Sequence, residues 1–574
     1  MRPREPLRRA PGARRSRAAD RGGAARRARR RRCRARAGTR AQRRADPLLA
    51  PRSRDLRRGA RRTPRRACRG ARRRDGSPLP VIRIDSHDAL DLSLYRRIVR
   101  DGEPVELAST LLGQVDERRA AMLRALEAGT PAYGVTTGLG YMSKREIPPT
   151  DRPALQRSIL LGRSVGVGEP LPHEVVRGAM LLRLTGFLSG DAGVSSDLCR
   201  LLAELLNDGW KPYVPSGPHG AAGEVIPLSH LFQTLVGEGF VLEDGERMLA
   251  RDALAARGLE PYEPGLKEGL ALVNGAPLAP ALAVQLVDRA RPLLEQATLS
   301  AALATALVGA SARTFSPRIG RLKRDPHQVA VQERLLELLG GGEWEDRPQA
   351  PVSLRVVPQV HGAVLDVLDG VERQLEQEVR AVTDSPLYLL AADGEPEGFY
   401  PSGNFHSQAL AFGLDALAIA FAQLANLAEK RLHRLLDARF SGLPEQLAAE
   451  PGRHTGASVL HKGVVALCVE NRMLALPASV NVSDTSAGQE DFQAFAFLGA
   501  EKLRRLLDNV ELVLAYELLA LRQARHLRDA PLPAPLERAC DELAEFVPPL
   551  LEDRPLGPEV QRVRDLVRSG RLLA

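Results

Sequence analysis

The sequence of 574 residues contains only five cysteines, and their spacing excludes two common uses of this residue. Cys33 and Cys68 lie near the N-terminus, whereas Cys199, Cys468 and Cys540 are far apart along the rest of the chain. This pattern contains no CxxC pair of the zinc-binding type and indicates no disulfide framework. We therefore predict a reducing, cytoplasmic location, and the sequence indicates no metal site.

Long hydrophobic runs are also missing. No stretch of eighteen uninterrupted apolar residues occurs, and the nearest one, residues 409–428, contains Asp415, Gln423 and Asn426. A membrane-spanning helix needs about 20 predominantly apolar residues. The sequence therefore predicts that the protein has no membrane partner.

Residues 1–76 lack lysine and have few acidic residues. They contain 31 arginines and five acids, a net charge of +26, and because the whole chain carries +12 the remainder carries −14. The segment has no helical or strand periodicity, so we predict an arginine-rich disordered extension or a stretch upstream of the true start. Arginine blocks bind phosphate backbones. A nucleic-acid partner is expected only if this segment is part of the protein.

The remainder of the chain predicts a mainly α fold. Residues 77–280 are broken by glycine and proline and are expected to form a smaller, loop-rich N-terminal domain that carries the active-site loops. Residues 281–574 are expected to form a bundle, because long Ala- and Leu-rich helices pack side by side. Glu490 is expected at or within the start of the last long helix, where the helix dipole stabilises a carboxylate. Long helices are predicted over 282–313, 362–382, 408–439 and 493–528.

A loop of small residues stands out within residues 214–230. By itself the sequence Gly-Ala-Ala-Gly at 220–223 is a tight turn that allows close approach of the backbone. In its surroundings the loop resembles the self-processing loop of the aromatic amino acid ammonia-lyases. This superfamily comprises histidine, phenylalanine and tyrosine ammonia-lyases and the related aminomutases.

The resemblance implies a specific chemistry that this sequence does not support. In that family an Ala-Ser-Gly tripeptide cyclises and loses water, which gives a methylidene-imidazolone electrophile. The matching residues here are Ala221, Ala222 and Gly223. Because an alanine methyl has no leaving group, no methylidene is expected to form. We therefore expect no cofactor.

Polar side chains in three further segments are assigned to the active site by the same resemblance. Tyr133 heads the glycine-rich loop 133–140 and would be the general base that removes the substrate's β-hydrogen. Asn274, in a Val-Asn-Gly sequence, would hold the tripeptide and the amino acid end of the substrate. Arg355 would form a bidentate fork on the substrate carboxylate, with Gln359 donating a hydrogen bond beside it.

Two other segments extend the match. Phe405, in a Gly-Asn-Phe-His sequence, would pack near the prosthetic group, and Glu490, in a Gln-Glu-Asp sequence, would lie beside the substrate's amine or ring. The run 468–480 is also similar to the family. Together these segments span residues 133–491, and the resemblance implies an ammonia-lyase-like long-helix bundle.

Several departures from the family pattern fall on active-site positions. Besides Ala222, Val352 replaces a second active-site tyrosine, and Ser385 and Glu224 replace an asparagine and an aspartate. Arg163 stands where related lyases often have a histidine that contacts the substrate ring. This arginine indicates an anionic or hydrogen-bond-accepting group at the far end of the substrate.

Several functions are compatible with this sequence. The chain could bind an amino acid-like carboxylate substrate without ordinary ammonia elimination, either as a binding protein or as a lyase acting on a substrate with a better leaving group or a more acidic proton. It could instead be an inactive subunit of an intact paralogue, because the family's homotetramers build each active site from three chains. A working histidine or aromatic amino acid ammonia-lyase or aminomutase is the third alternative. The expected assembly is a homotetramer or a hetero-oligomer with a paralogue.

Overall fold

The computed structural model describes residues 79–220, 222–340, 349–480 and 483–573. The predicted N-terminal extension 1–76 and Ala221 lie outside these residues. All of the described residues belong to one compact unit. The division of this unit at residue 280 stays a prediction.

The described residues are mainly helical, as predicted. Their first part contains eight α-helices: α1 Leu92–Val99, α2 Ser109–Glu127, α3 Arg152–Leu161, α4 His173–Phe187, α5 Ser196–Asn207, α6 Val225–Phe232, α7 Ala250–Ala256 and α8 Glu268–Val273. The second part contains α9 Leu278–Val308, α10 Pro317–Lys323, α11 Pro326–Leu338, α12 Val352–Arg355, α13 Val357–Glu378, α14 Gln408–Leu436, α15 Ala438–Ser441, α16 Ser458–Leu474, α17 Ala496–Leu527, α18 Ala534–Ala544 and α19 Gly557–Ser569.

Strands are short and occur in pairs among the described residues. β1 Ile82–Ile84 and β2 Val105–Leu107 pair in parallel. The other pairs are antiparallel: β3 Val167–Pro170 with β4 Pro215–Gly217, β5 Phe240–Glu243 with β6 Glu246–Leu249, and β7 Leu387–Leu389 with β8 Gly398–Tyr400. In the last pair Leu387 lies opposite Tyr400. These strand pairs are four separate two-stranded sheets, and they do not form a central sheet among the described residues.

Four long helices form the core of the bundle, and all four match the predicted segments to within a few residues. α17 has 32 residues and packs against α9, α14, α16 and α19, while α13 packs against α9, α11 and α14. The apolar face of α17 is fully buried and consists of Leu503, Leu506, Leu507, Val510, Val513, Leu514 and Leu518. At 1.5 Å per residue this helix is about 48 Å long.

The prediction that Glu490 lies at or within the start of α17 is wrong. The helix begins at Ala496, and Phe495 before it has φ 54° in the left-handed region, which ends the helical geometry there. Glu490 instead pairs with Thr485 in an isolated β-bridge. The carboxylate is therefore presented from a loop, not from a helix terminus.

Two segments, Glu268–Val308 and Gln408–Leu436, are long and apolar enough to cross a membrane by composition. In the structure 89% of the most apolar stretch of the first and 61% of that of the second are buried inside the protein. Core helices of soluble proteins have the same properties. The apolar character of α9 and α14 is thus explained by their place in the bundle.

Gly269 on α8 allows this helix to approach α3 closely. A Cβ atom at this position would overlap the main-chain carbonyl of Gln156. We expect Gly269→Ala to lower the free energy of unfolding by about 1–3 kcal/mol and to lower the melting temperature. Gly113→Ala is the matched control, because Gly113 in α2 has open space around it; this variant should gain about 0.5–1 kcal/mol. Equal melting temperatures for the two variants would contradict the expectation.

Candidate functional site

The loop that contains Ala222 joins β4 to α6 and is held by a residue far away in sequence. The Ala222 main-chain N–H donates to the Glu490 carboxylate at 2.9 Å. Gly223 has φ 73°, and a side chain there would meet the Gly275 carbonyl oxygen at 3.0 Å and Cβ of Phe405 at 3.5 Å. Only glycine fits this conformation and this space without strain. Ala222, Phe405 and Glu490 are therefore brought together, as the sequence predicted.

Glu224 fixes the end of the same loop. Its main-chain N–H donates to the Gly275 carbonyl at 2.9 Å, and its carboxylate accepts the N–H groups of Leu278 and Ala279 at 2.5 and 2.7 Å. These donors belong to the first turn of α9, where a carboxylate satisfies free N–H groups. Burial raises the pKa of Glu224 to about 8, and the two N–H donors oppose this shift. The glutamate therefore joins the loop to the bundle.

Asn274 directly follows α8 and lies beside this loop. Its Nδ2 donates to the Ser385 carbonyl, and Gly275 next to it touches Gly223 as described above. The neighbouring segment is anchored by the ion pair of Lys267 and Asp384, whose Nζ and Oδ2 are 2.5 Å apart and whose side chains are 0% and 1% exposed. The amide of Asn274 is thus positioned by two main-chain segments.

Tyr133 and Arg163 lie on the other side of Glu490. The Tyr133 hydroxyl accepts the Gly140 N–H at 2.8 Å, and the side chain is 36% exposed. Burial lowers the pKa of Arg163, while the nearby Tyr133 and Glu490 oppose that shift. Arg163 therefore lies close enough to Tyr133 and Glu490 for their charges to interact.

Glu490 connects the two sides of the site. Its carboxylate accepts the Ala222 N–H and the Ser486 hydroxyl, the latter at 2.9 Å. The Ser486 side chain lies 3.5 Å from the position that a Cβ on Gly140 would take, so the tyrosine loop contacts the same segment. Glu490 thus contacts the Ala222 loop, and it does so from a loop and not from the predicted helix.

Aromatic rings enclose the space next to Gly223. His219 packs edge-on against Phe497 with ring centroids 4.8 Å apart, and burial lowers the pKa of this histidine to about 4. His406 stacks on Phe492 at 5.6 Å. A small cavity here is lined by His219, Gly223, Phe405 and Phe497. Sequence reasoning assigned no role to His219, Phe492 and Phe497, because isolated aromatic residues carry no periodic signal.

Arg355 and Gln359 lie far from this cluster within one chain. Gly413, near the start of α14, packs against Val371 of α13. Arg355 ends α12, just before α13 begins at Val357, and Val357 is fourteen residues, or about 21 Å along the axis of α13, from Val371. The structure therefore does not bring the predicted carboxylate fork to the Ala222 loop of the same chain.

The surroundings of these two residues also differ from the prediction of a buried fork. Arg355 is half-buried, and its Nε donates to the Ala350 carbonyl at 2.8 Å. The Gln359 side-chain oxygen is buried and has no hydrogen-bond partner among the described residues. Val352, one helical turn before Arg355, is 58% exposed. Within one chain, the surroundings of Arg355 and Gln359 are therefore open to solvent on one side.

Comparison with known proteins gives consistent matches. Residues 90–546 match the sequence profile of the family described as aromatic amino acid lyase. The chain is 38% identical over 492 residues to histidine ammonia-lyase of Deinococcus radiodurans, covering 84% of this chain and 93% of that protein. It is 37% identical over 484 residues to the histidine ammonia-lyase of Symbiobacterium thermophilum, covering 83% and 95%.

Solved structures show the same fold. Tyrosine aminomutase from Streptomyces globisporus superposes with a TM-score of 0.79 at 29% identity, covering 86% of this chain and 98% of that one. Histidine ammonia-lyase from Trypanosoma cruzi superposes with a TM-score of 0.77 at 30% identity, covering 86% and 94%. The predicted long-helix bundle is confirmed.

Proposed function

Because the chain belongs to the aromatic amino acid lyase family, we propose that it binds a small amino acid-like carboxylate at the site around Ala222 without eliminating ammonia from ordinary aromatic amino acids. The observation that carries this proposal is Ala222 itself. It occupies the loop position from which the family draws its electrophile, and the loop keeps its contacts to Glu490, Phe405 and Gly275. The contacts of the loop are thus present, whereas the serine side chain from which the family forms its electrophile is missing.

The family's methylidene-imidazolone group does not fit these residues. The exocyclic carbon of that group comes from a serine side chain that loses its hydroxyl, and the Ala222 methyl has no oxygen to lose. The chain therefore carries no such group under this proposal. Without it, an amine has to leave from an unactivated amino acid whose β-proton is only weakly acidic.

The remaining polar groups limit the substrates that this site could convert. Tyr133 heads a glycine-rich loop and could move a proton, but it would have to act on a substrate with a better leaving group or a more acidic proton. Arg163 lies near Tyr133 and Glu490 and offers a cation to the far end of a ligand. An anionic or hydrogen-bond-accepting distal group fits this cation better than an unsubstituted phenyl ring.

A second candidate function is that of a subunit in a shared active site. It is favoured by the position of Arg355 at the end of α12, just before the start of α13, which lies about 21 Å along the α13 axis from the level of Gly413 and so away from the Ala222 loop in its own chain. In an oligomer Arg355 of one copy could face the Ala222 loop of another. The partner would be a second copy or an intact paralogue, and a cytoplasmic homotetramer is the arrangement that we favour.

Exposed apolar side chains support assembly. Phe412 and Ile419 on α14 are 57% and 44% exposed, and Val469 and Met473 on α16 are 52% and 63% exposed. Large apolar side chains that lie exposed on neighbouring helices are typical of a protein interface. A second copy would bury them.

Ligand-dependent stabilisation of the full chain tests the binding proposal. A ligand at 100 times its dissociation constant stabilises the folded state by about 2.7 kcal/mol. We expect acidic aromatic carboxylic acids to raise the melting temperature more than neutral ones. In the shared-site arrangement, in which a second copy supplies Arg355, Arg355→Gln should remove this rise, and Arg355→Lys should keep part of it, because lysine retains the charge but not the fork.

Arg453→Gln is the matched control, since Arg453 pairs only with nearby Glu450 and both side chains are exposed. Its ligand response should equal that of the wild-type protein. A panel in which no carboxylate stabilises the chain would overturn the binding proposal. An Arg355→Gln variant with an undiminished response would overturn the shared-site arrangement.

A further inference from the structure

Three side chains with metal-binding atoms meet where α14 and α16 pack together. Glu429 and His433 are four residues apart on α14 and so share one face of the helix. His461 lies in the first turn of α16, and its Nε2 is 2.6 Å from Oε1 of Glu429. The ligand atoms of all three residues lie within 4.8 Å of one another. The sequence alone did not reveal this cluster, because His461 joins it only through the fold.

The two imidazole rings are stacked face to face. His433 and His461 stack with ring centroids 4.6 Å apart and an angle of 21° between the planes. Zn–N bonds of about 2.0–2.1 Å in a tetrahedral site place neighbouring ligand atoms about 3.4 Å apart. Closing the group around one ion therefore requires the ligand atoms to approach by up to about 1.5 Å, and the two stacked rings have to turn so that their in-plane lone pairs point at the same ion.

The surroundings hold the carboxylate and leave an entry path. Lys430 Nζ contacts Oε2 of Glu429 at 2.8 Å, which fixes the carboxylate and leaves Oε1 directed at His461. Glu429 is buried, His461 is half-buried and His433 is exposed. Metal sites that retain a coordinated water typically have a neighbouring side chain that orients the ligating carboxylate and one side that is open to solvent. Here Lys430 orients Glu429, and the side at His433 is open.

The helix is rigid at this point. Arg431, between Glu429 and His433 in sequence, faces the interior and forms a bidentate pair with Glu517 of α17 at 2.8 and 2.9 Å. This buried pair fixes the rotation of α14 about its axis. Glu429 and His433 are consequently presented outward to α16 in a defined orientation.

From this geometry we propose that Glu429, His433 and His461 bind one divalent transition-metal cation. Two imidazole nitrogens and one carboxylate oxygen select zinc, cobalt, nickel or copper over magnesium and calcium, which prefer oxygen ligands. Glu429 follows Gly413 by sixteen residues, or about 24 Å along α14, and Phe405 precedes the helix. The site is therefore remote from the Ala222 loop of the same chain, and it does not depend on the proposed function.

Titration calorimetry of the full chain with zinc chloride, after dialysis against a chelator, tests the proposal. We expect one ion per chain with micromolar or tighter affinity and no binding of magnesium. His433→Ala should weaken zinc binding by more than about tenfold. Because His433 is exposed, the variant should fold like the wild-type protein, and circular dichroism of the metal-free variant checks this. His461→Gln should have the same effect.

A control variant and a spectroscopic readout separate this site from other histidines. His526→Ala removes an exposed histidine near the end of α17 and should leave the affinity unchanged. Cobalt(II) added to the wild-type protein should give visible absorption bands of a four- or five-coordinate ion, which His433→Ala loses. No zinc binding by the wild-type chain, or a wild-type affinity for zinc in His433→Ala and His461→Gln, would overturn the proposal.

Discussion

Arg431→Met is expected to lower the free energy of unfolding by about 3–5 kcal/mol. Arg431 and Glu517 are 0% and 1% exposed, and two guanidinium nitrogens donate to the two carboxylate oxygens. After the substitution Glu517 keeps only the Ser300 hydroxyl, which donates at 2.8 Å. A buried carboxylate without its cation has lost the interaction that offsets its desolvation. Denaturant or thermal unfolding measures the loss.

Two variants make this prediction specific. Arg453→Met breaks an exposed pair with Glu450, and a change of less than about 0.5 kcal/mol is expected. The double variant Arg431→Met/Glu517→Leu removes both charges and should recover most of the lost stability, because an apolar pair of similar volume can replace a buried ion pair. Similar melting temperatures for Arg431→Met and Arg453→Met would contradict the account of this pair.

Ala222→Ser is expected to change the covalent state of the protein. The serine would supply the hydroxyl that alanine lacks. The loop is already held in place, because the main-chain N–H of residue 222 donates to Glu490 and Gly223 lies close to the Gly275 carbonyl. We expect the intact mass of the variant to fall short of its sequence mass by two waters, with a new ultraviolet absorption band. Ala222→Gly also lacks a hydroxyl and should keep its full mass.

A full sequence mass for Ala222→Ser would show that the loss of self-processing does not rest on residue 222 alone. Glu224 would then be the next residue to examine, because its carboxylate holds the end of the loop against α9. In that case the double variant Ala222→Ser/Glu224→Asp distinguishes the two positions.

The helices could be predicted from the sequence because their apolar residues recur with helical spacing. The start of α14 at Gln408 was predicted to the residue, and that of α17 was three residues too early. The error arises at Phe495, whose left-handed backbone conformation has no signature in the hydrophobic pattern. Local spacing describes the body of a helix better than its first turn.

The site could be predicted only in part. The resemblance grouped Ala222 with Glu490, 268 residues later, and the structure joins them by a hydrogen bond. The same resemblance grouped Arg355 with them, but the structure places Arg355 at the end of α12, before the start of α13. An assignment by motif does not say which copy of a chain supplies a residue. The four-residue spacing of Glu429 and His433 can be seen in the sequence. The third residue of the cluster, His461, comes close to them only because α14 packs against α16.

Ammonia release by the wild-type full chain, measured with histidine, tyrosine and phenylalanine beside the intact mass of the same preparation, tests the central claim most directly. The account predicts a mass equal to that of the sequence and no ammonia from any of the three amino acids, because Ala222 has no hydroxyl to lose. A mass that is short by two waters, together with sustained ammonia release, would contradict it and would identify the chain as a working ammonia-lyase.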